Sequence, residues 1–417
     1  MDAQSIDAKH PPVGRLSSEP ARIEVDDEPY VVARVGGSVL VARDRCPHRG
    51  APLSAGMVED GCLVCPYHGW RFGADGKVVE IPALGPGASL PPRAKLDLVD
   101  VVRGEDGEFH VTTAAADLPK EPGMVMANDD PGLRRGWHPV CRSGELAPGG
   151  CVELGLLGQT INLERRTDGS ICGAEIFAAV DHIGHVWVAP ERPLAGLLDV
   201  PELEEPGWCH VPMARVEGSY GIGLLLDNQL DAGHFSFVHR ETFGSGSSSA
   251  LPPYELTRTE WGFETTFAVP ISARNDTAVL QQERSLDQHR TMTYRYQAPT
   301  GLFLRLDYAE MGGSTGIVFC FTPLDATHAR MDVDLYFRRP EGFTDEELTD
   351  RLTFETKVIS EDMALQDKFD STDLPIDPTA EIHTRADKAA LEMRRILQRM
   401  LTRVPFGSAD GASAPAR

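Results

Sequence analysis

The 417-residue chain carries 63 acidic and 40 basic side chains, a formal net charge of −23. No basic stripe interrupts that acidity, which argues against a nucleic-acid partner and suits partners with basic surfaces. No apolar run approaches the ~18 residues needed to cross a bilayer, and the opening MDAQSIDAKHPPVG lacks the basic start and apolar centre of a signal peptide. No membrane partner is therefore expected, and the length suits two or three domains in a cytoplasmic chain. Residues 1 to about 20 read as a polar lead-in. From Ala21 to Ala42, Val/Ile/Tyr-rich runs broken by Asp26-Asp27 and Gly36-Gly37 read as successive β-hairpins. Arg45 to Pro92 is loop-rich, and 95–112 reads as two strands around a Gly-containing turn. Ala114 to Asp130 has the look of a linker, and a second β-rich stretch covers 133–192. Runs such as RTMTYRYQ, GLFLRLDY and RMDVDLYF within 253–340 alternate with a period of two, which predicts a half-buried antiparallel sheet. The pattern turns helical over Glu346–Phe369, with Thr344 as N-cap, and over Arg385–Leu401. A Gly/Ser/Ala/Pro tail to Arg417 reads as disordered.

Eight cysteines are present, and in a cytosolic chain of this size a disulfide framework is not expected. Only Cys46 and Cys65 lie beside histidines at ligand spacing, in CPHRG (46–50) and CPYHGW (65–70), with sixteen residues between His48 and Cys65. Each loop offers one thiolate and one imidazole. Two thiolates on one iron and two imidazoles on the other make a [2Fe–2S] site, its neutral imidazoles raising the potential above that of a four-Cys cluster. Gly50 and Gly69 let each loop turn close to the cluster, and Pro47 and Pro66 stiffen it. Two Cys and two His also satisfy tetrahedral zinc, but zinc motifs of that composition usually pair Cys with Cys and His with His.

Residues 224–240 read LLLDNQLDAGHFSFVHR. Asn228, Asp231 and His234 are three apart, which places them on neighbouring turns of a helix. His234 and His239 are five apart, about 140° around an ideal helix, so they share a metal only if the helix ends or bulges between them. Gly233 and Phe235-Ser236-Phe237 make such an interruption plausible. Two imidazoles and a carboxylate form the facial triad that leaves iron positions open. On chemistry alone Glu361, Asp362, Asp367 and Asp370 all qualify as the carboxylate, and spacing does not choose among them.

The stretch CPHRGAPLSAGMVEDGCLVCPYHGWRFGADGKVVEIPAL closely resembles the Rieske domain of ring-hydroxylating and O-demethylating oxygenases. The Asn228/Asp231/His234/His239 pattern is similar to that of their monooxygenase-like members, and EIHTRADKAALEMRRILQRML resembles vanillate O-demethylase-like oxygenases. The resemblance implies a Rieske [2Fe–2S] cluster on Cys46, His48, Cys65 and His68, of the lower-potential kind because neither loop carries an additional disulfide-forming cysteine. It further implies a mononuclear Fe(II) on His234, His239 and Asp362, the Asp of a Glu-Asp step, flanked by Asn228 and Asp231. In the family this Asp joins the iron to a cluster histidine across a subunit boundary of a trimer, and a carboxylate can accept from both imidazoles.

One departure stands out. Residues 135–163 resemble the segment that opens a Rieske domain and 177–190 the segment that closes it, yet no Cys/His pair lies between them. The expected fold is α+β: a Rieske domain at 14–115, a linker at 116–132, a degenerate, cluster-less Rieske-like β segment at 133–192, a catalytic non-haem iron domain at 193–405 with an antiparallel sheet flanked by helices, and a disordered tail at 406–417. The implied activity is monooxygenation, by hydroxylation or oxidative demethylation, of an aromatic or cyclic small molecule with O2. The alternatives are cis-dihydroxylation by a dioxygenase, or a non-catalytic electron carrier. Without a flavin or nicotinamide fingerprint, electrons are expected from a separate NAD(P)H-dependent reductase, with or without a ferredoxin, and the resemblance implies a homotrimer.

Overall fold

The computed structural model describes residues 19–402 apart from 26, 104–108, 112–122, 246–248, 275–278 and 280. The polar lead-in to residue 18, the tail from 403 and residues 116–122 of the expected linker lie outside the described residues. Strands β1 (Ala21–Val25), β2 (Glu28–Val35) and β3 (Ser38–Arg43) form an antiparallel sheet through the two expected hairpins. Strands β4 (Met57–Glu59), β5 (Cys62–Val64), β6 (Arg71–Phe72) and β7 (Val78–Glu80) make a small meander, and β8 (Val101–Arg103) pairs with β9 (Phe109–Val111). This unit has its own core, including Val31, Leu40, Leu63, Trp70 and Phe72.

The expected linker ends early. Residues 123–132 pack down: β10 (Val125–Met126) pairs with β25 (Leu374–Pro375) near the far end of the chain. Beyond it, β11 (His138–Arg142) pairs with β16 (His185–Ala189), which pairs with β15 (Ala178–His182). Strands β12 (Cys151–Leu156), β13 (Gln159–Arg165) and β14 (Ile171–Gly173) form a second three-stranded sheet.

The largest sheet runs β17 (Cys209–Pro212), β24 (Ala329–Arg338), β23 (Ser314–Pro323), β22 (Gly301–Tyr308), β21 (Asp287–Gln297), β20 (Gly262–Ser272), β19 (Thr257–Arg258), with β18 (Val216–Gly218) also on β24. Its outer strands β20 and β21 alternate as expected, but β23 and β24 are buried almost throughout, which corrects the half-buried reading. Both faces of these central strands are covered. Phe303, Val318 and Cys320 pack under Trp187, Leu198 and Val200 on one side, and helix α1 (Ile222–Leu230) contacts β23 on the other. A strand covered on both faces reads as a continuous apolar run.

Helix α1 has no side-chain cap of its own; Asn128 accepts the Ile222 N–H (2.8 Å) and donates to Tyr220 O (2.8 Å), fixing the helix start from the far side of β10. Helix α3 (Asp345–Gln366) begins at the expected Thr344, whose hydroxyl and the Glu347 carboxylate form a capping box. Helix α4 (Lys388–Thr402), the last of the described elements, packs against α1.

Candidate metal centres

The loops after β3 and β5 are twins. In each, the Cys N–H donates to the carbonyl five residues on (Cys46 to Ala51 and Cys65 to Trp70, both 2.9 Å), and the Gly four residues on donates back (Gly50 to Cys46, 3.0 Å; Gly69 to Cys65, 3.1 Å). Both glycines have positive φ, +69° and +64°, where a Cβ is penalised. The loops bury Cys46, His48, Cys65 and His68 and bring the two imidazoles to 4.3 Å between ring centres. Backbone N–H groups of Tyr67 and His68 point at the Cys65 sulfur and, with the Cys46 thiol, overcome the upward push of burial to bring its pKa down to about 7. Such hydrogen bonds also tune a cluster's potential.

Each imidazole turns its Nε2 to a carboxylate of the C-terminal half. His48 donates to Asp387 (2.9 Å) and His68 to Asp231. Both Nδ1 atoms remain buried without a protein partner, beside two adjacent cysteines. A buried polar atom left unpaired is costly, and two thiols with two unpaired imidazole nitrogens are the donor set of a Rieske [2Fe–2S] group, so the residues fit it.

The second centre forms where α1 stops. Helix α1 ends at Leu230, Asp231 is extended, and a single turn, α2 (Phe235–Val238), starts at His234 and ends at His239. Asp231 and His234 therefore do not continue the helix of Asn228, a correction to the three-apart reading. The expected interruption lies ahead of the two histidines, at Asp231, rather than between them, where a single helical turn runs; their Nε2 atoms lie 3.1 Å apart, and Asp362 Oδ1 on α3 is 3.5 Å from His234 and 3.3 Å from His239. All three are buried, and their ligand atoms lie within 4.8 Å of one another. Asp362 Oδ1 and His234 Nδ1 have no hydrogen-bond partner, and this converging set fits an Fe(II) facial triad.

The competing carboxylates have other partners. Glu361 accepts from His239 Nδ1 (2.9 Å) and Thr242 Oγ1 (2.9 Å), orienting the imidazole; Asp367 accepts from Tyr220 (2.7 Å) and Asp370 from Arg22 (2.7 Å). With Asp362 and Glu361 outweighing burial, the His239 pKa rises to about 9 without metal. Gln229 donates to Asp362 Oδ2 (3.3 Å).

The two centres meet within the chain. Asp231 accepts from His68 on one oxygen and from the Gly233 N–H (2.5 Å) on the other, while the His68 and His234 rings stand 6.4 Å apart. Asp231 thus makes the cluster half of the expected bridge, and no hydrogen bond joins it to His234. Asn228 accepts from the Tyr67 hydroxyl (2.7 Å) of the second cluster loop. A Cβ on Gly69 would lie 2.0 Å from the ring of Phe237, on the turn between the iron-site histidines. With the positive φ added, Gly69→Ala is expected to cost about 1–3 kcal/mol, read as a lowered midpoint in denaturant.

Sequence reasoning missed the pin beneath this interface. Arg49, 4% exposed, meets Asp227 (3.2 Å), Glu381 (3.1 Å) and Asp387 (3.2 Å), and Arg394 meets Asp227 (2.6 Å) and Glu381 (2.9 Å). Only Asp387 carried a local signal, the Thr384–Asp387 capping box.

Comparison with known families agrees with this two-centre layout. The Rieske [2Fe-2S] domain profile matches residues 11–104, and the vanillate O-demethylase oxygenase C-terminal domain profile matches 221–403. The chain therefore joins a Rieske iron–sulfur domain to an oxygenase-type C-terminal domain. That pairing fits both a [2Fe–2S] cluster and mononuclear iron. Among relatives, a methylxanthine N1-demethylase of Pseudomonas putida is 38% identical over 115 residues, 28% of this chain and 32% of that protein. The vanillate O-demethylase oxygenase subunit of a Pseudomonas species is 43% identical over 68 residues, 16% of this chain and 19% of that one. The aligned stretches thus span about a third or less of these relatives. A solved structure of a Pseudomonas putida protein with caffeine covers 92% of this chain and 84% of its own at 19% identity and a TM-score of 0.44.

Proposed function

We propose that this chain is the oxygenase component of a Rieske non-haem iron monooxygenase, which hydroxylates or oxidatively demethylates an aromatic or cyclic small molecule. The observation that carries this reading is the seating of the cluster loops, through His68 and Asp231, on the turn that presents His234 and His239. When bound, the iron activates O2 and the cluster supplies electrons one at a time. The chain's own residues do the rest. Cys46, His48, Cys65 and His68 hold the cluster; His234, His239 and Asp362 hold the iron and leave positions open; Glu361 and Gln229 fix His239 and Asp362. Asp231 fixes the His68 tautomer and carries the negative charge between the centres, and Asn228 anchors Tyr67. Electrons come from a separate NAD(P)H-dependent reductase, with or without a ferredoxin, in the cytoplasm. Among the described residues no helix is long and apolar enough to cross a membrane. Incubation with a panel of methoxylated and cyclic compounds tests the reading: oxygenated or demethylated product with one oxygen atom incorporated supports it, and a cis-diol product replaces it with dioxygenation.

The division proposed is a Rieske domain at 14–115, a cluster-less Rieske-like segment at 133–192 and a catalytic domain at 193–405. Strand order supports it. In the first unit a three-stranded sheet (β1–β2–β3) is followed by a hairpin (β8–β9), and in the second β12–β13–β14 is followed by β15–β16. Between sheet and hairpin the first unit inserts 57 residues, 44–100, bearing both cluster loops, and the second only four, 174–177.

The same arrangement suggests that each chain feeds its own iron, whether or not it assembles as the homotrimer the resemblance implies. Co-expressed Cys65→Ser and His234→Ala chains, purified together through two tags, are then expected to show no more substrate-dependent O2 uptake than the two variants apart. Recovery of turnover in the mixed assembly would place the working path between chains.

A further inference from the structure

Monooxygenation places one oxygen atom in a new bond to the substrate and sends the other out as water, consuming two electrons and two protons for each O2. The electrons come from the reductase through the cluster, but the protons must cross the cavity beside His234, His239 and Asp362. That cavity is lined chiefly by apolar groups, among them Phe235, Phe243, Leu304 and Phe319. Its polar lining is short. His234, His239 and Asp362 are the candidate iron ligands; Gln229 and Arg290 also line it, but an amide does not titrate and a guanidinium does not release its proton. Tyr294 on β21 is 0% exposed, and burial pushes its hydroxyl further from ionising. Among the described residues of the lining, that leaves Glu355.

Glu355, Val358, Ile359 and Asp362 of α3 all line the cavity, at the i, i+3, i+4 and i+7 spacing of one helix face. Two turns, about 10.5 Å of rise, separate the two acidic positions. Asp362 is 2% exposed and Glu355 only half-buried, so this face runs from the iron site toward solvent. The charged and titratable groups around Glu355 are Arg290 on β21, Arg351 one turn back on α3, His239 at the end of α2 and Tyr308 on β22. The two arginines and His239 favour the carboxylate, but burial outweighs them and pushes the Glu355 carboxyl upward, toward the form that has a proton to give.

We propose that Glu355 is the proton-relay residue of this cavity: its carboxylic acid gives a proton inward, through water, to the O2 being reduced and regains one from solvent. The Tyr294 hydroxyl, which has no hydrogen-bond partner, is a donor and acceptor for such water. The proposal rests on the oxygenase reading for what consumes the proton, but not for a protonated carboxyl in exchange with solvent.

The first test is infrared spectroscopy of the Fe(II)-loaded chain, wild type against Glu355→Gln, titrated across neutral pH in H2O and D2O. The difference is expected to hold a protonated-carboxyl band at neutral pH that fades as pH rises and shifts in D2O; its absence overturns the proposal. The second is turnover of the panel compound that wild type converts fastest. Glu355→Gln is expected to lower kcat about 100-fold, the lower end for proton-transfer catalysis, with KM unchanged. The alkaline limb of the wild-type pH profile, where the acid form is lost, should vanish with it, and Glu355→Asp should restore part of the rate. Wild-type kcat and pH profile in Glu355→Gln overturn the proposal, and so does a loss carried wholly by KM, because Glu355 then reads the substrate. If Glu355→Gln does not fold, Glu355→Asp replaces it in both arms: a shifted band with reduced kcat supports the proposal, and spectrum and kcat identical to wild type overturn it. A panel that wild type leaves unconverted counts against the oxygenase reading, while the infrared arm still decides whether Glu355 holds a solvent-exchanging proton.

Discussion

Asp231→Ala is expected to lower substrate-dependent O2 consumption by about 10- to 100-fold, the usual cost of removing the partner of a metal-bound histidine, with cluster and iron still bound. None of the ligating atoms is touched: the thiols and Nδ1 atoms of the cluster loops face away from Asp231, and His234, His239 and Asp362 make no hydrogen bond to it. What is lost is the acceptor for His68 Nε2 and the charge that holds that imidazole in one tautomer beside the iron turn. Asp231→Asn keeps an acceptor oxygen but no charge, so it should fall between wild type and Asp231→Ala. A purely structural Asp231 would move the unfolding midpoint without moving the spectrum or redox midpoint of the cluster, and both variants are expected to shift the redox midpoint. Unchanged turnover in Asp231→Ala would remove this carboxylate from the path.

The second large effect is on stability. Arg49→Met leaves Asp227, Glu381 and Asp387 buried, with Arg394 serving two of them and Asp387 retaining His48 and its Thr384 cap but no cationic arginine. Breaking a buried ion pair by removing one partner costs about 3–5 kcal/mol, and a change of that size is expected in urea unfolding. The same guanidinium ties the first cluster loop to α1 and to the start of α4, so part of the loss should appear as undocking of the cluster loops. Pairing Arg49→Met with Asp387→Asn in a double-mutant cycle separates the two: coupling of about 1 kcal/mol or more marks direct interaction, and strict additivity would show that the pair acts independently.

What the sequence made legible follows from where partners sit along the chain. The four proposed cluster ligands form two tight pairs, so spacing alone picks them out, and the loops that carry them are twins in their backbone hydrogen bonds. His234 and His239 are also neighbours; the break their separation called for lies ahead of the pair, at Asp231, and not between them. That same break defeated the helical reading of Asp231. Asp362 lies over a hundred residues away on α3, and only its position facing both imidazoles, with Glu361 turned onto the far side of His239, distinguishes it from its neighbours. The Arg49, Asp227, Glu381, Asp387 and Arg394 cluster joins segments up to 338 residues apart, and no local pattern marks such partners. Arg290 looked like one more charged residue on an alternating strand; that it points inward depends on register against β20 and β22. The half-buried sheet failed for a similar reason, since the cover on its second face comes from residues 187–200.

The central claim is that one chain holds a Rieske cluster and a separate mononuclear iron. Iron and acid-labile sulfide assay of the anaerobically reconstituted chain, with its visible and electron paramagnetic resonance spectra, tests it most directly. The account predicts about three irons per chain, two in a cluster with mixed Cys/His ligation and one at the facial triad, falling to about two in His234→Ala with the cluster spectra unchanged. A colourless protein, bound zinc in place of iron, or a His234→Ala chain that keeps its full iron content would contradict it.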